Sequence, residues 1–187
     1  LLSQAAIQWN ARAYPAIVDG QNLVKGRVTG PDPDGAKKQR AERISQHMSW
    51  QLLFDMPGWE EDTDRLLLML PIVGCVFRKT YHDMVTAKNC SVMIPANDFS
   101  VNYWATSLET APRYTQILRL YPNDVRERVM TGLWHEPGVL SVSSGNDRAN
   151  PEDDQAEIEF LEQHCLIDLD EDGYAEPYVI TLDRLGG

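Results

Sequence analysis

The chain has 187 residues, 43% hydrophobic, 24% charged and 9% aromatic, with a formal net charge of −11. That composition suits one ordinary core or two small ones and excludes a disordered chain. Tight nucleic-acid binding is disfavoured as well, because gripping a phosphate backbone needs a basic patch, and the densest basic set is only Lys37, Lys38, Arg40 and Arg43.

Residues 1–30 hold short apolar segments of weak periodicity, followed by the turn-rich VTGPDPDGAKK. A helix is predicted over about 35–56, where Ala41, Ile44, Met48 and Leu52 recur at three-to-four spacing with Lys, Arg and Gln opposite. Pro57-Gly58 ends it, and a second helix is predicted over about 59–72. Glu60, Glu61, Asp62 and Asp64 occupy its first turns, where the helix dipole favours negative charge, and Pro71 is expected to kink or stop it.

Strand patterns follow. CVFRKTYHD and CSVMIPANDFSVNYWA, separated by the polar VTAKN, predict an antiparallel hairpin. RYTQILRLY fits a strand or a helical turn. Pro122 suits the first residue of a short helix that Gly132 closes. The stretch 141–156 lacks periodicity and reads as an exposed loop, and IEFLEQHCLIDL and YAEPYVITLDRL read as a final pair of strands. The expected class is α+β, with N-terminal helices packed with a mainly antiparallel sheet in a single domain over 1–187. The longest apolar stretch, Leu66 to Phe77, is too short to span a bilayer, no signal-peptide pattern occurs, and the chain does not begin with methionine. A soluble piece of a longer protein is the expectation.

Motifs that carry chemistry are sparse. Cys75, Cys90 and Cys165 are odd in number and set in apolar runs, which predicts buried reduced thiols, not disulfides or zinc ligands. His47, His82, His135 and His164 are far apart and form no zinc-type pair. No nucleophile elbow or phosphate-binding glycine loop occurs. The acid pairs Glu60-Glu61 and Asp153-Asp154 read as solvated faces. The reading is therefore no enzyme and no cofactor. Trp50, Trp59, Tyr103, Trp104 and Trp134 are predicted core or interface anchors.

DLDEDGY, Asp168 to Tyr174, supports two readings. Asp168, Asp170, Asp172 and Gly173 match the first half of a calcium loop, with the Tyr174 carbonyl as a further ligand. Against an EF-hand, the bidentate glutamate expected at the loop's end is Val179, and the flanks read as strands. Asp and Gly are equally what a tight turn selects, since both tolerate positive φ. The sequence reading is a structural turn with no metal, and a weak cation site at Asp168, Asp170 and Asp172 is the alternative.

Four segments taken in order, RAERISQHMSWQL, WEEDTDRLLLMLPIVGCVFRKTYHD, CSVMIPANDFSVNYWATSLETAPRYTQ and EFLEQHCLIDLDEDGYAEPYVIT, resemble the portal proteins of tailed bacteriophages. The likeness is to the large portals of short-tailed enteric phages and related prophages, and it spans roughly residues 10–183. It implies a structural virion protein, a subunit of a dodecameric ring at a capsid vertex through which DNA is packaged and ejected. It further implies capsid, scaffolding, terminase and head-completion proteins as partners, no membrane, no catalytic residues, and residence in the virion or, during assembly, in the host cytoplasm. The matched segments resemble the outer wing; stem and clip have no counterpart. The alternatives are a calcium-binding module or hydrolase using the Asp168–Asp172 acids, and another head–tail adaptor protein.

Overall fold

A computed structural model describes residues 1–20, 23–56, 58–137 and 156–184. The predicted loop 141–156 lies outside them except for Ala156. The architecture is α+β, as expected, and the chain packs as two compact units, Leu1–Ile94 and Pro95–Gly187.

The first unit contains α1 (Leu2–Ile17), α2 (Ala36–Trp50) continued by a π-helical turn (Gln51–Asp55), α3 (Trp59–Val73), β1 (Phe77–Asp83) and β2 (Lys88–Ile94). Local chemistry explains where α2 and α3 begin. The Asp32 carboxylate accepts the Lys37 and Lys38 N–H groups at 3.1 and 2.9 Å, satisfying donors that the first turn of α2 leaves open. Gly58 enters α3 with φ 75°, and Glu60, Glu61 and Asp62 fill its first turn. Pro71 does not stop the helix. It sits in the last turn, where one lost hydrogen bond matters little, and the chain leaves at Gly74 with φ 89°.

The helix α1 was not foreseen. No capping side chain or first-turn acid marks its start and Pro15 lies inside it, and it packs against α3. Asn10 Nδ2 donates to Asp64 Oδ1 at 2.7 Å, and the Tyr14 hydroxyl donates to Glu60. In turn α3 packs on β2, where Asp62 Oδ2 accepts the Met93 N–H at 3.0 Å. The buried apolar residues of this unit are Ala6, Met56, Trp59, Leu67 and Ile94. Strands β1 and β2 pair antiparallel from Phe77 opposite Ile94 to Asp83 opposite Lys88, the predicted hairpin, but its second strand stops at Ile94 before Pro95, and Phe99–Val101 of the predicted run pair in a different sheet.

The second unit contains β3 (Phe99–Val101), β4 (Arg113–Leu120), α4 (Pro122–Met130), β5 (Ile158–Ile167) and β6 (Glu176–Asp183). The sheet order is β3-β4-β5-β6, antiparallel throughout. The ambiguous segment RYTQILRLY is a strand, its register with β5 running from Arg113 opposite Cys165 to Leu120 opposite Ile158. On one face of this sheet Ile158 and Phe160 form the core with Val125 of α4, flanked by Leu118, Leu120 and Trp134. Alternation sends Arg119 and Glu159 to the other face. There Arg119 forks onto both oxygens of Asp98 at 2.8 Å and reaches Glu159 at 3.1 Å, while Arg184 also pairs with Glu159. The fork keeps Asp98 ionised below the usual carboxylate range and raises Arg119. No helix among the described residues is long and apolar enough to cross a membrane.

Candidate functional site

The loop between β5 and β6 brings Asp168, Asp170 and Asp172 together, with one carboxylate oxygen from each lying within 4.8 Å of the others. The backbone explains most of that convergence. Asp168 Oδ1 accepts the Asp172 N–H at 3.2 Å, and Oδ2 accepts the Gly173 N–H at 2.8 Å. Asp172 Oδ1 accepts the Tyr174 N–H at 2.7 Å. Gly173 takes φ 91° and Glu171 φ 59°, so the glycine supplies a conformation that other residues adopt only at a cost. The flanks are strands, not the helices of an EF-hand. Asp168 is thus committed to the turn through both oxygens. Asp170 and Glu171 are exposed and accept no hydrogen bond among the described residues.

The remaining sequence-predicted residues are dispersed. His47 stacks on Trp50 with centroids 5.9 Å apart, and His82 Nδ1 lies 2.9 Å from Asn89 Oδ1 across the first hairpin. His164 stacks on Tyr114 at 4.7 Å and His135 is exposed. Glu60 holds the Tyr14 hydroxyl, whose pKa that hydrogen bond pushes up to about 12. Asp153 and Asp154 lie outside the described residues. The expectation of buried thiols fails: Cys75 is exposed, and Cys90 and Cys165 are half-buried. Apolar sequence neighbours do not bury a residue that follows a helix-ending glycine, and a strand covered on one side keeps part of its other face wet.

The aromatic residues separate into core and surface. Trp59 is buried beneath the Arg78 guanidinium, which lies 5.2 Å from the ring centroid and donates to the Trp59 carbonyl at 3.1 Å and to Thr63 Oγ1 at 2.9 Å. Desolvation lowers the pKa of Arg78. Arg78 borders a groove of about 480 Å³ lined also by Met48, Leu52, Met56 and Ser91. Trp134 packs edge-on against Phe160 at 5.1 Å. By contrast Trp50 is 51%, Tyr103 88% and Trp104 87% exposed.

Helix α2 is the largest departure from sequence expectation. The face it buries is small and polar. Ser45 Oγ accepts the Gly26 N–H at 2.7 Å and donates to the Ala41 carbonyl, and Ser49 Oγ accepts the Val24 N–H at 3.1 Å. A Cβ on Gly26 would stand 2.8 Å from Ser45 Oγ and 2.9 Å from the Ala41 oxygen, so the incoming segment lies directly on the helix. Ile44 and Met48 of the apolar stripe are left exposed, as is Phe54 in the π-helical turn. On the side away from Gly26, Arg40, Arg43, His47 and Trp50 follow at helical spacing, all exposed. Neither arginine has an ion-pair partner among the described residues. No known protein-family model matches the chain, and no curated protein matches it.

Proposed function

We propose that the chain is a structural, interaction-based protein: the wing of a phage portal subunit, part of the ring through which DNA is packaged and ejected at a capsid vertex. The observation that carries this reading is the large apolar surface left in water. Phe54 is 75%, Tyr103 88% and Trp104 87% exposed. Burying one such side chain stabilises by about 1.5–3 kcal/mol, so surfaces of this kind mark interfaces. A ring is built from heterologous contacts and needs two different patches on every subunit.

Of the four portal-like segments, the second spans α3 and β1 and the fourth covers most of the β5–β6 hairpin, while the first runs from within α2 into the π-helical turn and the third from within β2 to within β4. In this reading the chain is not an enzyme and holds no cofactor. Its partners are neighbouring subunits and the capsid, scaffolding, terminase and head-completion proteins, and it resides in the virion or, during assembly, the host cytoplasm. Its acidic balance lets DNA pass without capture, since phosphates meet few cations that would release their counterions.

Electron microscopy of the full-length protein tests the proposal: closed rings with an axial channel are expected, and a monomeric full-length protein would refute it. The 187-residue chain alone should be monomeric or weakly associated by light scattering, because stem and clip contacts are missing. A parent gene beside a terminase large-subunit gene, encoding stem-like helices downstream of Gly187, separates a portal from a head–tail adaptor.

A further inference from the structure

We propose that the outward face of α2 docks the β5–β6 loop of a second copy of this chain, head to tail, through Arg40 and Arg43 on one side and Asp170 and Glu171 on the other. The inference rests on the ring reading above and names the contact.

Charge is divided unequally along the chain. Residues 1–94 carry eleven Lys/Arg against ten Asp/Glu, whereas residues 95–187 carry six against eighteen. The first unit is therefore +1 and the second −12, so the second unit accounts for the whole net charge of −11. Within the first unit, α2 from Ala36 to Trp50 bears four cations and a single acid, Glu42. Its exposed Arg40 and Arg43 form no ion pair among the described residues. At the loop, Asp170 and Glu171 are equally unengaged, because Asp168 and Asp172 already hold the turn.

Apolar groups accompany the charges on both sides. Trp50 is 51% and Met48 43% exposed beside the arginines, and Leu169 is 64% and Tyr174 70% exposed beside the acids. A contact with an apolar centre and a charged rim is the usual composition of a specific interface. Because the two patches differ, one copy's helix takes another copy's loop, the kind of contact from which a heterologous ring is built.

Charge exchange tests it on the 187-residue chain by sedimentation velocity. Self-association of roughly 0.1 mM affinity is expected at low salt, falling as salt is raised. Arg40→Glu with Arg43→Glu should weaken it roughly tenfold or more, and Asp170→Lys with Glu171→Lys should do the same. An equimolar mixture of the two double variants should restore association, because every helix then meets a loop of opposite charge on the other variant. The neutral pairs Arg40→Gln/Arg43→Gln and Asp170→Asn/Glu171→Gln should weaken association less, and they serve if a reversal unfolds the chain by circular dichroism.

A chain that stays monomeric at millimolar concentration and low salt overturns the proposal. So does a double variant that associates like the parent, or a mixture that is not restored. Rings of the full-length protein without charge-exchange rescue would sink this contact alone. Rescue without rings would sink the portal reading instead.

Discussion

At the turn between β1 and β2, Asp83 Oδ1 accepts the Val85 N–H at 3.1 Å and Oδ2 accepts the Thr86 hydroxyl at 2.7 Å. At the turn between β5 and β6, Asp168 uses both oxygens on the N–H groups of Asp172 and Gly173. In each hairpin an aspartate at the end of the first strand (Asp83) or just past it (Asp168) supplies the acceptors its turn lacks, and each then needs positive φ, at Ala87 (53°) in one and at Glu171 and Gly173 (59° and 91°) in the other. One acid suffices for the first turn, with Thr86 beside it. The second carries Asp170, Glu171 and Asp172 as well, and only Asp172 joins the backbone bonding, through Tyr174. The surplus is not explained by turning the chain. Water solvates it, and a cationic partner would complement it.

The comparison predicts a graded series. Asp168→Ala leaves two N–H groups without acceptors and should destabilise the second hairpin most, by about 2 kcal/mol, read as faster amide exchange at Asp172 and Gly173. Protection unchanged from the parent would show that the carboxylate is incidental. Asp83→Ala removes one backbone acceptor and one hydroxyl partner at an exposed turn, and about 1 kcal/mol is expected in the exchange of Val85. A larger loss at Asp83 than at Asp168 would reverse the comparison.

Ala87→Gly should stabilise the first hairpin by about 0.5 kcal/mol, since relief of the left-handed conformation outweighs the added freedom of the unfolded chain. Destabilisation in urea unfolding would contradict that balance. Asp170→Ala and Glu171→Ala should shift stability by less than about 0.5 kcal/mol in either direction. Calcium titration by calorimetry belongs to the same test. The loop as a turn gives no micromolar binding, and micromolar binding abolished by Asp170→Ala would move it to the cation-site reading.

The helices α2, α3 and α4 and both hairpins were legible because their signals lie within a few residues. Gly35, Gly58 and Gly74 take positive φ at helix boundaries, Pro122 opens α4, and the aspartate-rich turn sits between two alternating strands. The helix α1 was not legible. Its hydrogen-bond partners on α3, Asp64 and Glu60, lie 54 and 46 residues away along the chain. RYTQILRLY was undecided for the same reason, since its strand character comes from pairing with β5 across 48 residues at Gln163 and Thr115. For the candidate site, the DLDEDGY turn was visible, but the division between engaged and unengaged acids was not.

Sequence by itself determined the α+β class, the unequal charge of the two halves and the places where the chain must turn, because capping, proline geometry and glycine φ are decided locally. Tertiary structure alone decided which face of α2 is buried. Periodicity marked Ile44 and Met48 as a core stripe, yet the close approach of Gly26 to Ser45 turned a small polar face inward and left the large apolar residues in water. Periodicity reports that a face is apolar; which face is covered depends on a segment that arrives from elsewhere in the chain.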